Sequence, residues 1–154
     1  MCGICGYVNT KSDNNFAKII EKMTFCLNRR GPDDNGNWID PQNNLALGHT
    51  RLSIFDLSSK GQQPMSSSSE RFIITFNGEI YNFLELKKIL INKGCKFYTD
   101  TDTEVLLNLF EYFEFEKSLS MIEGMFAFAL WDKKFKKLYL ARDRFGEKTL
   151  YYYK

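Results

Sequence analysis

Met1-Cys2-Gly3-Ile4-Cys5-Gly6 opens the chain, and the remaining segments can be read outward from it. A cysteine directly behind the initiator methionine becomes the N-terminal residue when that methionine is removed, which a side chain this small permits. One Cα then carries both a thiol and a free α-amine. Free α-amines titrate near roughly 7.7–8.0 and free thiols near about 8.5, so at neutral pH such an amine can take the thiol's proton. Nucleophile and base come from a single residue, which suits a chain whose one histidine is His49. Gly3 and Gly6 let backbone or ligand approach closely. Ile4, Tyr7 and Val8 are strand formers that would anchor the terminus in a sheet over residues 3–8. Taken by itself, Cys2 also fits an ordinary second residue with no chemical role.

The chain has 154 residues, one domain's worth. Its 24 aromatic residues (14 Phe, 8 Tyr and 2 Trp) supply a large core. With 21 basic and 19 acidic residues the net charge is +2, which gives no electrostatic reason to expect nucleic acid or an anionic membrane as partner. The start has neither the basic flank nor the apolar run of a signal peptide, and no apolar stretch nears the roughly 20 residues of a membrane span. Cys2, Cys5, Cys26 and Cys95 are too sparse for a disulfide scaffold, so reduced thiols and a cytoplasmic setting are expected.

After the first strand, a polar turn is expected at Lys11-Ser12-Asp13. Phe16, Ile19, Ile20, Met23 and Leu27 then recur at helical spacing, with Cys26 a small buried hydrophobe. Arg29, Arg30, Gly31 and Pro32 would close that helix with basic residues, a glycine cap and a proline stop. Strands are expected over residues 36–39 and 45–52, then a mobile loop through Gly61, Pro64 and the serines of 66–69. Phe72-Ile73-Ile74-Thr75-Phe76 is apolar on both faces, as a strand between two layers would be, and is expected to end at Asn77-Gly78. A helix with Phe83, Leu86 and Leu90 stops at Gly94. The next starts at a capping box of Thr101 and Glu104, with Asp102 in its first turn and Leu106, Leu109, Phe110 and Phe113 as its buried stripe. Residues 125–131 and 138–141 read as a hairpin, and residues 150–153 as a last strand. The fold class expected is α+β, a mainly antiparallel arrangement of two sheets with helices outside.

Seven motifs stand in a telling order: Cys2-Gly3-Ile4, Arg30-Gly31-Pro32-Asp33, Gly48-His49-Thr50-Arg51-Leu52, Gln63-Pro64-Met65, Asn77-Gly78-Glu79-Ile80-Tyr81-Asn82, Thr101-Asp102-Thr103-Glu104 and Ala141-Arg142-Asp143-Arg144-Phe145-Gly146. Over nearly its whole length the chain resembles class II glutamine amidotransferases, most of all the N-terminal glutaminase domain of asparagine synthetase and its relatives. The resemblance implies an N-terminal-nucleophile hydrolase fold, a four-layer αββα sandwich spanning residues 1–154. It also implies hydrolysis of L-glutamine to L-glutamate and ammonia through a thioester on the N-terminal cysteine.

By that resemblance Cys2 attacks the amide carbon, and its α-amine shuttles the proton to departing ammonia. The developing oxyanion is met by the Asn77 side-chain amide and the Gly78 backbone N–H. A missing side chain at Gly78 would let substrate approach the backbone, although Asn-Gly is also the favoured pair of a plain hairpin turn. Arg51 takes the α-carboxylate in two-pronged fashion, with backbone from Leu52 to Phe55 lining the pocket. Asp102 takes the α-ammonium, with Glu79 nearby. As lone charges, Arg51 and Asp102 would instead be a surface ion pair and a helix-dipole partner.

Where many relatives have His-Arg-Gly-Pro-Asp, this chain has Arg29-Arg30-Gly31-Pro32-Asp33, so no proton relay through that histidine is available. Glu147 and Thr149 stand where relatives often carry isoleucine and proline, which weakens assignment to one subfamily. The pyrophosphate-binding Ser-Gly-Gly motif of the ATP-using synthetase domain does not occur in these residues. No cofactor is therefore expected in this chain, ATP and magnesium belonging to a synthetase domain or subunit that would receive the ammonia. Self-association is left open. Three rivals stand beside the glutaminase: a domain of another amidotransferase, an inactive regulatory relative, and a CxxC redox or zinc module at Cys2-Gly3-Ile4-Cys5. The zinc version lacks a second ligand pair, and the redox version lacks the helix such a motif normally opens.

Overall fold

Phe72-Ile73-Ile74-Thr75-Phe76 is buried at every position, and its two faces enter two different cores. Phe72, Ile74 and Phe76 pack with helical side chains, while Ile73 packs with Leu45, Leu47, Ala129 and Trp131 of the two sheets. In a strand alternate residues face opposite sides, so an apolar run of this kind belongs between two layers. A computed structural model describes residues 2–9, 15–52 and 59–154 of the chain. The turn expected at Lys11-Ser12-Asp13 and the pocket residue Phe55 lie outside the described residues.

The elements run β1 (Gly3–Val8), α1 (Phe16–Cys26), β2 (Asp34–Asp40), β3 (Leu45–Arg51), a short 3-10 turn (Ser59–Gly61), β4 (Met65–Ser66), β5 (Phe72–Ile80), α2 (Phe83–Asn92), α3 (Asp102–Tyr112), α4 (Phe115–Met121), β6 (Gly124–Asp132) and β7 (Lys137–Arg142). One sheet has the order β1-β3-β2 and the other β4-β5-β6-β7. Every ladder between these strands is antiparallel. Phe16 and Ile20 of α1 pack on Ala46, Cys5 and Tyr7 at the outer face of the first sheet. Leu86, Leu90, Leu106, Leu109 and Phe110 of α2 and α3 cover the outer face of the second. The layers are thus helix, sheet, sheet, helices, the expected αββα sandwich. No helix among the described residues is long and apolar enough to cross a membrane.

Several local expectations are corrected. Asn77-Gly78 does not end β5, which continues to Ile80 because β6 pairs with it as far as Gly124. This also removes the plain hairpin turn as an account of that dipeptide. Gly31 is no helix cap, since α1 caps at Leu27 in an ordinary helical conformation. A Cβ at Gly31 would instead lie 2.5 Å from the backbone of Thr50 and Arg51, so glycine lets the turn close against β3. Cys26 is exposed rather than buried. Half of the capping box forms: Glu104 N–H donates to Thr101 Oγ1, but the Glu104 carboxylate reaches back to the N–H groups of Tyr98 and Thr99. Within the loop expected at 61–69, Met65–Ser66 pairs with β5, and the Ser68 and Ser69 hydroxyls bond Glu111. Residues 150–153 form no strand, and Tyr151, Tyr152 and Tyr153 are exposed because no neighbouring strand pairs with them.

Candidate active site

Along β3, Leu45 and Leu47 face the second sheet, and residues two apart share a face. His49 and Arg51 therefore continue that inner face, where the packing changes from apolar to polar. The His49 Nε2–H donates to the Phe76 carbonyl at 3.2 Å, and the Thr75 hydroxyl donates back to the Gly48 carbonyl at 3.1 Å. The two sheets are locked at this level. Beyond it a cleft opens, lined by Cys2, Arg51, Leu52, Gln63, Asn77, Gly78, Glu79, Asp102, Thr103 and Lys148 among others.

β1 and β3 bring Cys2 to this cleft. Its Sγ accepts from the Leu52 N–H at 3.4 Å and lies 3.8 Å from the Leu52 carbonyl. The Arg30 Nε–H holds the Cys2 carbonyl from the turn after α1 at 3.2 Å. Cys5 points the other way, toward α1, with its Sγ 3.6 Å from Thr24 Oγ1. The two thiols of Cys2-Gly3-Ile4-Cys5 thus serve different layers, which removes the geometry a CxxC metal or dithiol site needs. No cluster of three metal-ligating side chains occurs among the described residues.

From the facing sheet, Asn77 shares the inward face of β5 with Ile73 and Thr75. Asn77 is 7% exposed and lines the cleft. The backbone of Gly78 is placed by alternation. Phe126, its partner across the ladder, bonds Asp143 through both N–H and C=O, so it turns away from β5. Gly78 and Phe126 are then a non-hydrogen-bonded pair, and the Gly78 N–H faces the open edge of β5. On either side of it, the Phe76 N–H is taken by Gln63 Oε1 at 2.7 Å and the Ile80 N–H by Asp102 Oδ2 at 3.0 Å. Gly78 is the open donor between two capped ones. Its missing side chain has a cause other than substrate approach: a Cβ would lie 2.3 Å from the Met125 carbonyl.

Asp102 opens α3 at the cleft wall. Burial pushes its carboxyl above the usual carboxylate range, with Glu79 adding to the effect and the Ile80 N–H opposing it. A cation bound there would relieve that cost. Arg51 is 8% exposed, and its guanidinium lies against Gly61. His49 is held neutral, its pKa lowered to about 4 chiefly by burial. Lys148 reaches the cleft from a turn gathered around Asp143, whose carboxylate accepts the N–H groups of Phe126, Glu147 and Lys148. Burial alone would raise the Asp143 carboxyl, but those donors outweigh it and hold it at about 2.

The cleft therefore gathers Cys2, Arg51, Leu52, Asn77, Gly78, Glu79 and Asp102, all read from the sequence as site residues. Gln63, Thr103 and Lys148 were not assigned a role there. Gln63 stands in a motif already singled out, but what it touches depends on where β4 ends beside β5, which no local pattern reveals.

A sandwich of two antiparallel sheets with a cysteine thiol, an asparagine amide and an open N–H at one end of the interlayer is the arrangement of an N-terminal-nucleophile amidotransferase. The family model described as a glutamine amidotransferase domain matches residues 1–154, and the chain belongs to that family. It is 43% identical over 155 residues to asparagine synthetase [glutamine-hydrolyzing] 1 of Bacillus subtilis, covering 99% of this chain and 24% of the relative. To a putative asparagine synthetase [glutamine-hydrolyzing] 2 of Methanocaldococcus jannaschii it is 39% identical over 169 residues, covering 99% of this chain and 32% of the relative. The chain thus spans about a fifth to a third of the length of the curated relatives it matches. Among solved structures, glutamine phosphoribosylpyrophosphate amidotransferase from B. subtilis aligns at a TM-score of 0.55 and 28% identity, covering 66% of this chain and 23% of that one.

Proposed function

We propose that this domain hydrolyses the side-chain amide of L-glutamine to L-glutamate and ammonia, and that the ammonia serves amide synthesis by a synthetase domain or subunit. The observation that carries the proposal is that the Asn77 side chain and the open Gly78 N–H line the same cleft as Cys2. Two donors in one cleft with a nucleophile are what an oxyanion requires.

Removal of Met1 supplies the α-amine that takes the Cys2 proton. The thiolate adds to the amide carbon, and Asn77 and Gly78 hold the charge that forms on oxygen. The carbon–nitrogen bond then breaks as the amine returns its proton to ammonia, leaving a thioester that water cleaves to glutamate. Arg51 binds the α-carboxylate, with Leu52 beside it, and Asp102 with Glu79 binds the α-ammonium. Nucleophile, base and donors all come from the chain, so the step is assigned no cofactor, and ATP and magnesium are assigned to the synthetase partner. The sequence similarity to asparagine synthetases favours aspartate as the eventual acceptor over that of another amidotransferase. Free thiols at Cys2, Cys5, Cys26 and Cys95 support a cytoplasmic setting.

The test is to incubate the chain, processed to begin at Cys2, with amide-labelled glutamine, aspartate and Mg-ATP. Labelled ammonia and glutamate should form, and labelled asparagine should not. Absence of labelled ammonia would exclude the glutaminase, and enzyme-dependent labelled asparagine would show a synthetase function in these residues.

A further inference from the structure

Phe76 sits at the point where β4 has ended and β5 is left without a neighbour on one side. Its N–H and C=O both face that open edge, where an unpaired backbone group in the interior would cost free energy. Two side chains take the place of the missing strand. Gln63 Oε1 accepts the Phe76 N–H at 2.7 Å, and the His49 Nε2–H meets the Phe76 carbonyl at 3.2 Å. Gln63 then extends further, its Nε2–H donating to Thr103 Oγ1 at 3.3 Å, one residue from Asp102 in the first turn of α3. Gln63 is 7% exposed and His49 1%, so neither contact competes with bulk water.

Neither residue has a part in the chemistry proposed above. We propose, on the strength of that glutaminase assignment, that Gln63 is a positioning residue. Together with His49 it clamps the Phe76 backbone on both sides of its Cα so that Asn77 and Gly78 are preset for the oxyanion, and through Thr103 it ties that strand to the helix bearing Asp102. One amide side chain thus links the part of the cleft that meets the reacting carbonyl to the part that meets the substrate's ammonium. Preset donors matter most in the transition state, because a misplacement of about 1 Å can cost on the order of a hundredfold in rate.

The variant is Gln63→Met, which keeps length and loses both hydrogen bonds. For Gln63→Met, kcat for glutamine should fall by about tenfold or more while KM stays within about threefold. Gln63→Asn, a smaller change that cannot span the same distance, should repeat the kcat loss and serves if Gln63→Met does not fold. A purely structural residue would lower the melting temperature and leave kcat of the folded enzyme unchanged; that result overturns the proposal. Amide hydrogen exchange on the same variants reads the clamp without turnover. Exchange at Phe76 should accelerate in Gln63→Met while that of Ile74 holds. If the unsubstituted processed chain turns over no glutamine, the glutaminase assignment falls and the positioning role with it, whereas unchanged exchange at Phe76 would overturn the clamp alone.

Discussion

Asn77 and Arg51 reach one cleft from facing sheets, but they are suited to different moments of the reaction. The carboxylate that Arg51 would hold is charged before, during and after bond breaking, so its contact contributes equally to ground and transition states. The charge that Asn77 would meet exists only in passage. Asn77→Ala should therefore lower kcat by roughly 10²–10³ with little change in KM, while Arg51→Ala should mainly raise KM. Steady-state kinetics on the two variants checks this, and the opposite pattern would break both assignments. Asp102 differs from both in that burial already works against its charge, a cost that an arriving ammonium would offset.

At the scale of elements, the turn around Asp143 has the clearest energetic signature. Its carboxylate satisfies three backbone N–H groups and places Lys148 at the cleft. With the folded pKa at about 2 against an ordinary value of 3.8, its contribution is present above the ordinary value and is lost as pH falls toward the folded one. Asp143→Asn should cost about 1.5–3 kcal/mol at pH 7 by urea denaturation, and the difference should close as pH drops from about 4 to about 2. Elements with a strong local signal were legible in the sequence: β1, the β6–β7 hairpin and α2 with Gly94 beyond its end. Seven-residue α4 was not, because two turns are too few to show a helical period. Asn77-Gly78 carries a turn signal that the long ladder to β6 overrides. Residues 150–153 are strand formers without a strand beside them, and propensity alone does not supply one. The site residues were legible through their ordered motifs, whereas the part played by Gln63 required knowing where one strand stops alongside another.

At the scale of the molecule, the sandwich has an apolar interlayer of Leu45, Leu47, Ile73, Ala129 and Trp131. Past the His49 and Thr75 hydrogen bonds the interlayer turns polar, and there β1, β3, β5 and α3 deliver a thiol, a guanidinium, two donors and a carboxylate from four distant parts of the chain. The arrangement contains a nucleophile but no histidine suited to serve as its base, since burial lowers the His49 pKa to about 4, too weak to take a thiol proton, and its Nε2–H is committed to the Phe76 carbonyl. The central claim is therefore that the α-amine of Cys2 does this work. It is tested most directly by comparing two forms of the chain, confirmed by N-terminal mass spectrometry: one beginning at Cys2, the other retaining Met1 ahead of an intact Cys2. The processed form should release ammonia from glutamine, and the Met1 form should be as inactive as Cys2→Ala. Equal rates from the two forms would contradict an N-terminal mechanism.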